Sequence, residues 1–219
     1  MSTIHSYIAK CSICGKTTKK DILGSCSSFG APDLDYRPPQ MGRGTMKWWT
    51  QECPYCGYVN VRLDHTCALS QKEILEIYQE VEAGFDWGLI KNDVALRFAK
   101  LGAMHAKLHN YHGAAEQFLR VAWVFDDDQN EMAATHWRKV AIEHVVIMFK
   151  QQVTQDAERM VCIYADMLRR VGDFQQVCQL DEYELTEESY IQFIKYQKKL
   201  SELGDCTVHT ISACKVQRN

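Results

Sequence analysis

The sequence predicts an α+β fold, in which a small N-terminal β module precedes an all-α array of antiparallel helices. Three observations carry this. Cys-x-x-Cys-Gly occurs twice early in the chain, as Cys11-Ser-Ile-Cys14-Gly15 and Cys53-Pro-Tyr-Cys56-Gly57. Alternating apolar and polar residues flank both pairs. From residue 71 onward the apolar residues recur at helical spacing instead.

The elements follow in chain order. Ile4, Ser6 and Ile8 alternate with His5, Tyr7 and Ala9 as a strand entering the first knuckle. Residues 45–52, with Trp48 and Trp49, supply the strand entering the second, and Val59, Val61 and Leu63 the strand leaving it. A hairpin folded at each Cys-x-x-Cys, with glycine in a backbone conformation other residues resist, is the zinc-ribbon arrangement. So small a segment cannot hold itself together by apolar burial alone, and a bound metal contributes folding energy directly. Cys11, Cys14, Cys53 and Cys56 are therefore the expected ligands of a structural Zn2+. The alternatives are another tetrahedral thiolate metal such as iron, and redox chemistry, since Cys53-Pro-Tyr-Cys56 has the residues of a glutaredoxin active site. A redox thiolate usually opens a helix, whereas here glycine and an alternating strand follow.

Between the knuckles, residues 28–39 read Ser-Phe-Gly-Ala-Pro-Asp-Leu-Asp-Tyr-Arg-Pro-Pro. Pro38 and Pro39 exclude regular helix there. Asp33, Asp35 and Arg37 are expected to order this loop as a polar cluster, with a recognition surface as the alternative. Cys26, His65 and Cys67 are spare ligand types, read as packing or surface residues.

Ser70-Gln71-Lys72-Glu73 is a capping box, with Ile74, Leu75, Tyr78 and Val81 on one helical face ending near Gly84. The expected domains are therefore 1–70, a ribbon with a proline-containing insert, and 71–219, helical with a C-terminal capping helix and tail. Phe98, Leu101, Gly102 and His105, a turn at His109-Asn110, then Tyr111, Ala114, Phe118 and Val121 or Ala122 follow the tetratricopeptide (TPR) pattern of paired helices. The usual tyrosine is His105, and Asp126–Asp128 replaces the closing proline and reads as a solvated helix end. Residues 131–152 form one long amphipathic helix with Ala134, Trp137, Ala141, Val145 and Met148 inward. Tyr164, Ala165, Leu168, Gly172-Asp173-Phe174 and Val177 make a looser repeat. Thr186 caps a last helix carrying Tyr190, Phe193, Ile194, Leu200 and Leu203, stopped by Gly204. His105, His109 and His112 read as packing or capping residues, and Cys162 and Cys178 as small core residues. Cys206, His209 and Cys214 match no familiar metal spacing.

The order of knuckle, Gly-Ala-Pro-Asp-Leu-Asp-Tyr-Arg-Pro-Pro, Trp-bearing strand, Cys-Pro-Tyr-Cys-Gly-Tyr and TPR-like helices resembles a family of bacterial zinc-ribbon proteins with a C-terminal TPR-like array, of the domain-of-unknown-function type. The resemblance spans nearly the whole chain and is most specific in residues 11–58. It implies a zinc-bound ribbon on Cys11, Cys14, Cys53 and Cys56, a helical interaction surface and no established activity.

Composition bounds the rest. The chain has 219 residues, 46% hydrophobic and 24% charged, which is ordinary for a globular protein. There is no signal-peptide pattern, and no apolar run nears the roughly 18 residues of a membrane span. Ten cysteines are then expected to meet a reducing cytoplasm. Residues 1–65 hold 8 Lys+Arg against 5 Asp+Glu. Four thiolates around zinc reduce that surplus to about +1. The leading expectation is a non-catalytic adaptor that binds a protein or peptide on its helices, Arg97, Lys100, Lys107 and Arg120 being basic residues near the first repeat. Nucleic-acid binding through Lys19, Lys20, Arg43, Lys47, Trp48 and Trp49 is the alternative. An enzyme comes third, because no phosphate-binding, dinucleotide or nucleophile-elbow motif is present and any catalysis needs a cryptic site near Asp33, Asp35 and Arg37. Partner identity and oligomeric state are not legible in the sequence.

Overall fold

The structure, a computed structural model, describes residues 2–27, 29–84, 92–152, 156–182 and 185–215. Ser28 of the insert and residues 216–219 of the tail lie outside them. The fold is α+β. Strands β1 (Thr3–Lys10) and β2 (Thr17–Ser25) form an antiparallel hairpin with Lys10 opposite Thr17. The insert carries helix α1 (Gln40–Arg43) and a 3-10 turn (Met46–Trp48) before β3 (Gln51–Glu52), which pairs with β4 (Val59–Asn60).

The strands of the second hairpin are much shorter than the alternation suggests. Before it, Thr45 donates its hydroxyl to the Gly42 carbonyl and accepts from the Trp49 indole, which closes a turn. After it, the Asn60 side chain accepts from the Val61 amide. Such local side-chain bonds compete with a strand ladder.

The helices are α2 (Gln71–Gly84), α3 (Asp93–Lys107), α4 (Tyr111–Asp127), α5 (Glu131–Lys150), α6 (Ala157–Arg170), α7 (Phe174–Cys178), α8 (Glu188–Glu202) and α9 (Ile211–Lys215). Ser70 and Glu73 make the reciprocal bonds of a capping box at the start of α2. Its buried face is Ile74, Ile77 and Tyr78, while Leu75 is exposed, so the helix sits rotated from the expected face. The last long helix is capped differently too. Thr186 spends its hydroxyl on Glu158, and α8 starts after Glu187 without a side-chain cap.

Three helix connectors share one geometry. His109, Gln129 and Gly172 each have φ between 58° and 82°, and the next residue, Asn110, Asn130 or Asp173, caps the following helix with its side chain. In each, the capping residue's amide bonds back to a carbonyl five residues earlier: Asn110 to His105, Asn130 to Phe125 and Asp173 to Leu168. A left-handed residue closing one helix and an Asn or Asp opening the next makes a compact reversal.

Where α3 crosses α4, Gly102 faces Phe118 so closely that a Cβ would stand 2.9 Å from the ring. Phe118 is itself fixed against Trp137 and His144, with ring centroids at 5.7 and 4.9 Å. Ala134, Ala141, Val145 and Met148 of α5 are buried as the periodicity requires. So are Tyr164, Ala165, Leu168 and Val177. Leu203, expected inward, lies beyond the end of α8 and is exposed.

The insert packs on the helices. Leu34 and Met46 belong to the helical core, Tyr36 stacks on Phe193, and the Leu34 amide bonds the His209 carbonyl beside α9. The two knuckles share a smaller core with α2 and α3, containing Ala9, Tyr58, Val59, Leu63, Ile74, Tyr78, Leu101 and Met104. Tyr78 joins these parts: its phenol oxygen accepts from the Val59 amide at 2.8 Å and donates to the Met104 sulfur at 3.0 Å.

Candidate metal centre and the buried ion network

The two knuckles fold alike. The Cys11 amide bonds the Lys16 carbonyl and the Gly15 amide returns to Cys11, while Cys53 bonds Tyr58 and Gly57 returns to Cys53. Gly15 and Gly57 have φ of 70° and 73°, a region that favours glycine. The Ser12 amide bonds the Leu63 carbonyl and so draws one knuckle over the other. As a result the sulfurs of Cys11, Cys14, Cys53 and Cys56 lie within 4.8 Å of one another. Cys11 to Cys56 and Cys14 to Cys53 are both 3.7 Å. A tetrahedral ion with metal–sulfur bonds of about 2.3 Å has sulfur–sulfur edges of about 3.8 Å, so the set has the size such an ion needs. It is too open for a disulfide, whose S–S bond is about 2.05 Å.

The four thiols differ in their surroundings, and a backbone hydrogen bond from Lys16 lowers Cys14 to about 7. Burial pushes the Cys11 and Cys56 thiols up, and the neighbouring sulfurs raise Cys56 further. A divalent ion reverses this, because it binds and stabilises thiolates. Four sulfur donors suit zinc or iron. Among the described residues this is the one cluster of at least three His, Cys, Asp or Glu placed to hold an ion. Cys26, His65, Cys67, Cys206, His209 and Cys214 are not part of it. His209 pairs with Asp205, and His105 and His109 contact Asn110 and Tyr111. The Cys53–Cys56 knuckle leads into β4 rather than opening a helix.

Asp33, Asp35 and Arg37 are brought together inside the protein, exposed by only 3%, 1% and 4%. Arg37 pairs with Asp33, Asp126 and Asp127, and Arg43 grips Asp33 at 2.8 and 3.1 Å. The Asp35 carboxylate accepts from the Trp123 indole at 2.7 Å and from the Arg37 amide at 3.1 Å. Asp126 is not a solvated helix end. Its carboxylate accepts from Arg37, Arg138 and Arg170, which fastens the insert to α4, α5 and α6. Burial and the repulsion of Asp35 push the Asp33 carboxyl up to about 6 despite Arg43 and Arg37. Burial opposes the Asp126 charge too, yet its arginines win and hold it below the ordinary carboxylate value.

Basic residues of the first helix pair are also committed inward. Lys100 is buried against Glu82 and Glu52, and Arg97 donates to the Thr50 and Lys47 carbonyls. Lys107 alone of the four named basic residues is exposed. Sequence reasoning missed Arg138 and Arg170. An acidic run facing an Asp-x-Asp-x-Arg insert is the signal that could have pointed to partners for them.

The fold and site together define an α+β chain with a closed four-cysteine centre ahead of packed helices. No protein-family model matches it, and no curated protein or solved structure matches it either. Among the described residues, no helix is long and apolar enough to cross a membrane.

Proposed function

We propose that the chain is a non-catalytic cytoplasmic adaptor, in which a zinc ribbon on Cys11, Cys14, Cys53 and Cys56 supports a TPR-like array that binds a protein or peptide. The observation that carries the metal's structural role is closure. Four sulfurs within 4.8 Å fill a tetrahedral ion and leave no position for a water. The repeated Schellman-like connectors and the Gly102–Phe118 crossing support the TPR-like reading. Met132 and Ile147, exposed on α5 at 73% and 36%, are apolar contacts available to a partner.

The nucleic-acid reading is weakened because Arg43 is held by Asp33 and the Trp49 indole by Thr45. An enzyme centred on Asp33, Asp35 and Arg37 is disfavoured because their charges are spent on one another and on Asp126. The test is affinity purification of the tagged chain with mass spectrometry, beside a Met132→Glu/Ile147→Glu variant of unchanged melting temperature. A partner held by the native chain and lost by the variant supports the proposal. Identical recovery by both, or salt-dependent binding of DNA or RNA in place of a protein, overturns it.

A further inference from the structure

Between the insert and helices α4 and α6 lies a cleft of about 200 Å³, walled by Tyr36, Trp49, Leu119, Trp123 and Ile163. That equals the liquid volume of about seven waters, room for a one-ring ligand rather than a chain. Two guanidiniums stand at its sides, each laid over an aromatic ring. Arg120 is 5.5 Å from the Trp49 ring centroid, and Arg159 is 4.8 Å from that of Tyr36. Stacking of this kind fixes a guanidinium and leaves its edge N–H groups free to bind.

The charges are unevenly satisfied. Asp35, at the base, is already engaged by Trp123, the Arg37 amide and Arg138. Glu116 stands between the two arginines at 3.5 and 3.8 Å, too far for well-formed hydrogen bonds. Arg159 bonds Asp156 at 2.9 Å. Among the described residues, Arg120 donates no hydrogen bond at all, although its side chain is only 22% exposed. Burial already opposes its charge. Tyr36, whose backbone is held at φ 65°, completes the wall in a conformation rare for a bulky residue.

We propose that this cleft binds a small aromatic carboxylate, with its ring against Leu119, Trp123 and Ile163 and its carboxylate on the open N–H groups of Arg120. A planar oxyanion matches the guanidinium fork, and a flat ring matches the aromatic walls. A neutral amide of the same shape lacks the charge to compete with Glu116 for the Arg120 guanidinium, whose N–H groups donate no hydrogen bond among the described residues.

The test uses the full metal-loaded chain, titrated with benzoate, benzamide and inorganic phosphate by calorimetry, with tryptophan fluorescence reporting on Trp49 and Trp123. The expected result is saturable benzoate binding, with benzamide and phosphate each at least about tenfold weaker. Arg120→Gln is expected to lose about tenfold or more for benzoate at an unchanged melting temperature. If that variant does not fold, the more exposed Arg159→Gln takes its place with a smaller loss in the same direction. Benzamide or phosphate binding as tightly as benzoate, benzoate affinity unchanged in the folded variant, or no saturable binding by native protein would each overturn the proposal.

Discussion

Replacing Asp126 by alanine is expected to destabilise the chain far more than its place in an Asp-Asp-Asp run suggests. The carboxylate is shared by Arg37, Arg138 and Arg170, whose side chains are exposed by only 5%, 2% and 10%. After its removal Arg37 keeps Asp33 and Asp127, and Arg138 keeps Asp35 at 3.8 Å. Arg170 keeps no carboxylate within ion-pair distance among the described residues. Breaking a buried ion pair by deleting one partner costs about 3–5 kcal/mol, because the remaining charge is buried and uncompensated. Against a total stability of about 5–15 kcal/mol that is a large fraction. Urea unfolding followed by tryptophan fluorescence measures it, and the midpoint should fall with little change in slope. The melting temperature should drop by about 6–20 °C. Asp128→Ala is the control, since that side chain bonds Asn92 at an exposed site and should cost under about 1 kcal/mol. An Asp126→Ala chain within about 1 kcal/mol of native would refute the claim that this network fastens the insert to the helices.

Other outcomes follow from the same geometry. Gly102→Ala pushes a methyl to 2.9 Å from the Phe118 ring, which Trp137 and His144 already flank, so the clash should outweigh the helix-propensity gain and lower stability by about 1–2 kcal/mol in a denaturant titration. Gln129→Gly relieves a left-handed residue at φ 58° and should raise the unfolding free energy from a denaturant titration by about 1 kcal/mol. The Asp33 carboxyl carbon should titrate near pH 6 by NMR. The folded chain holds that proton more tightly than the unfolded chain, so Asp33 adds stability below its unfolded pKa, and this is lost as pH rises through about 6. Melting of Asp33→Asn should lack that component of the change between about pH 4 and 6.5.

What could be read from the sequence was mostly local. Gly15 and Gly57 mark tight knuckles, Ser70 with Glu73 marks a helix start, Asn110 marks a turn and Gly204 marks a helix end. Each effect is set within a few residues, and the structure places each there. The four-cysteine set was legible because spacing alone limits which thiols can share an ion. The destination of the insert was not. Its residues Arg37 and Leu34 are placed by Asp126 and by the chain around His209, and no local pattern links segments so distant in sequence. Arg138 shows the same limit: on an amphipathic helix an arginine reads as solvent-facing, yet it is 2% exposed because Asp126 and Asp35 await it. The exposed Leu75 and buried Ile77 differ because the knuckle core selects which side of α2 it covers.

The measurement that bears most directly on the central claim is the metal content of the chain purified without chelator, by native mass spectrometry. One zinc per chain is expected, lost together with cooperative unfolding of the N-terminal module in Cys53→Ser. A native chain that folds without metal, or a Cys53→Ser chain that keeps its zinc and its fold, would contradict the four-cysteine account.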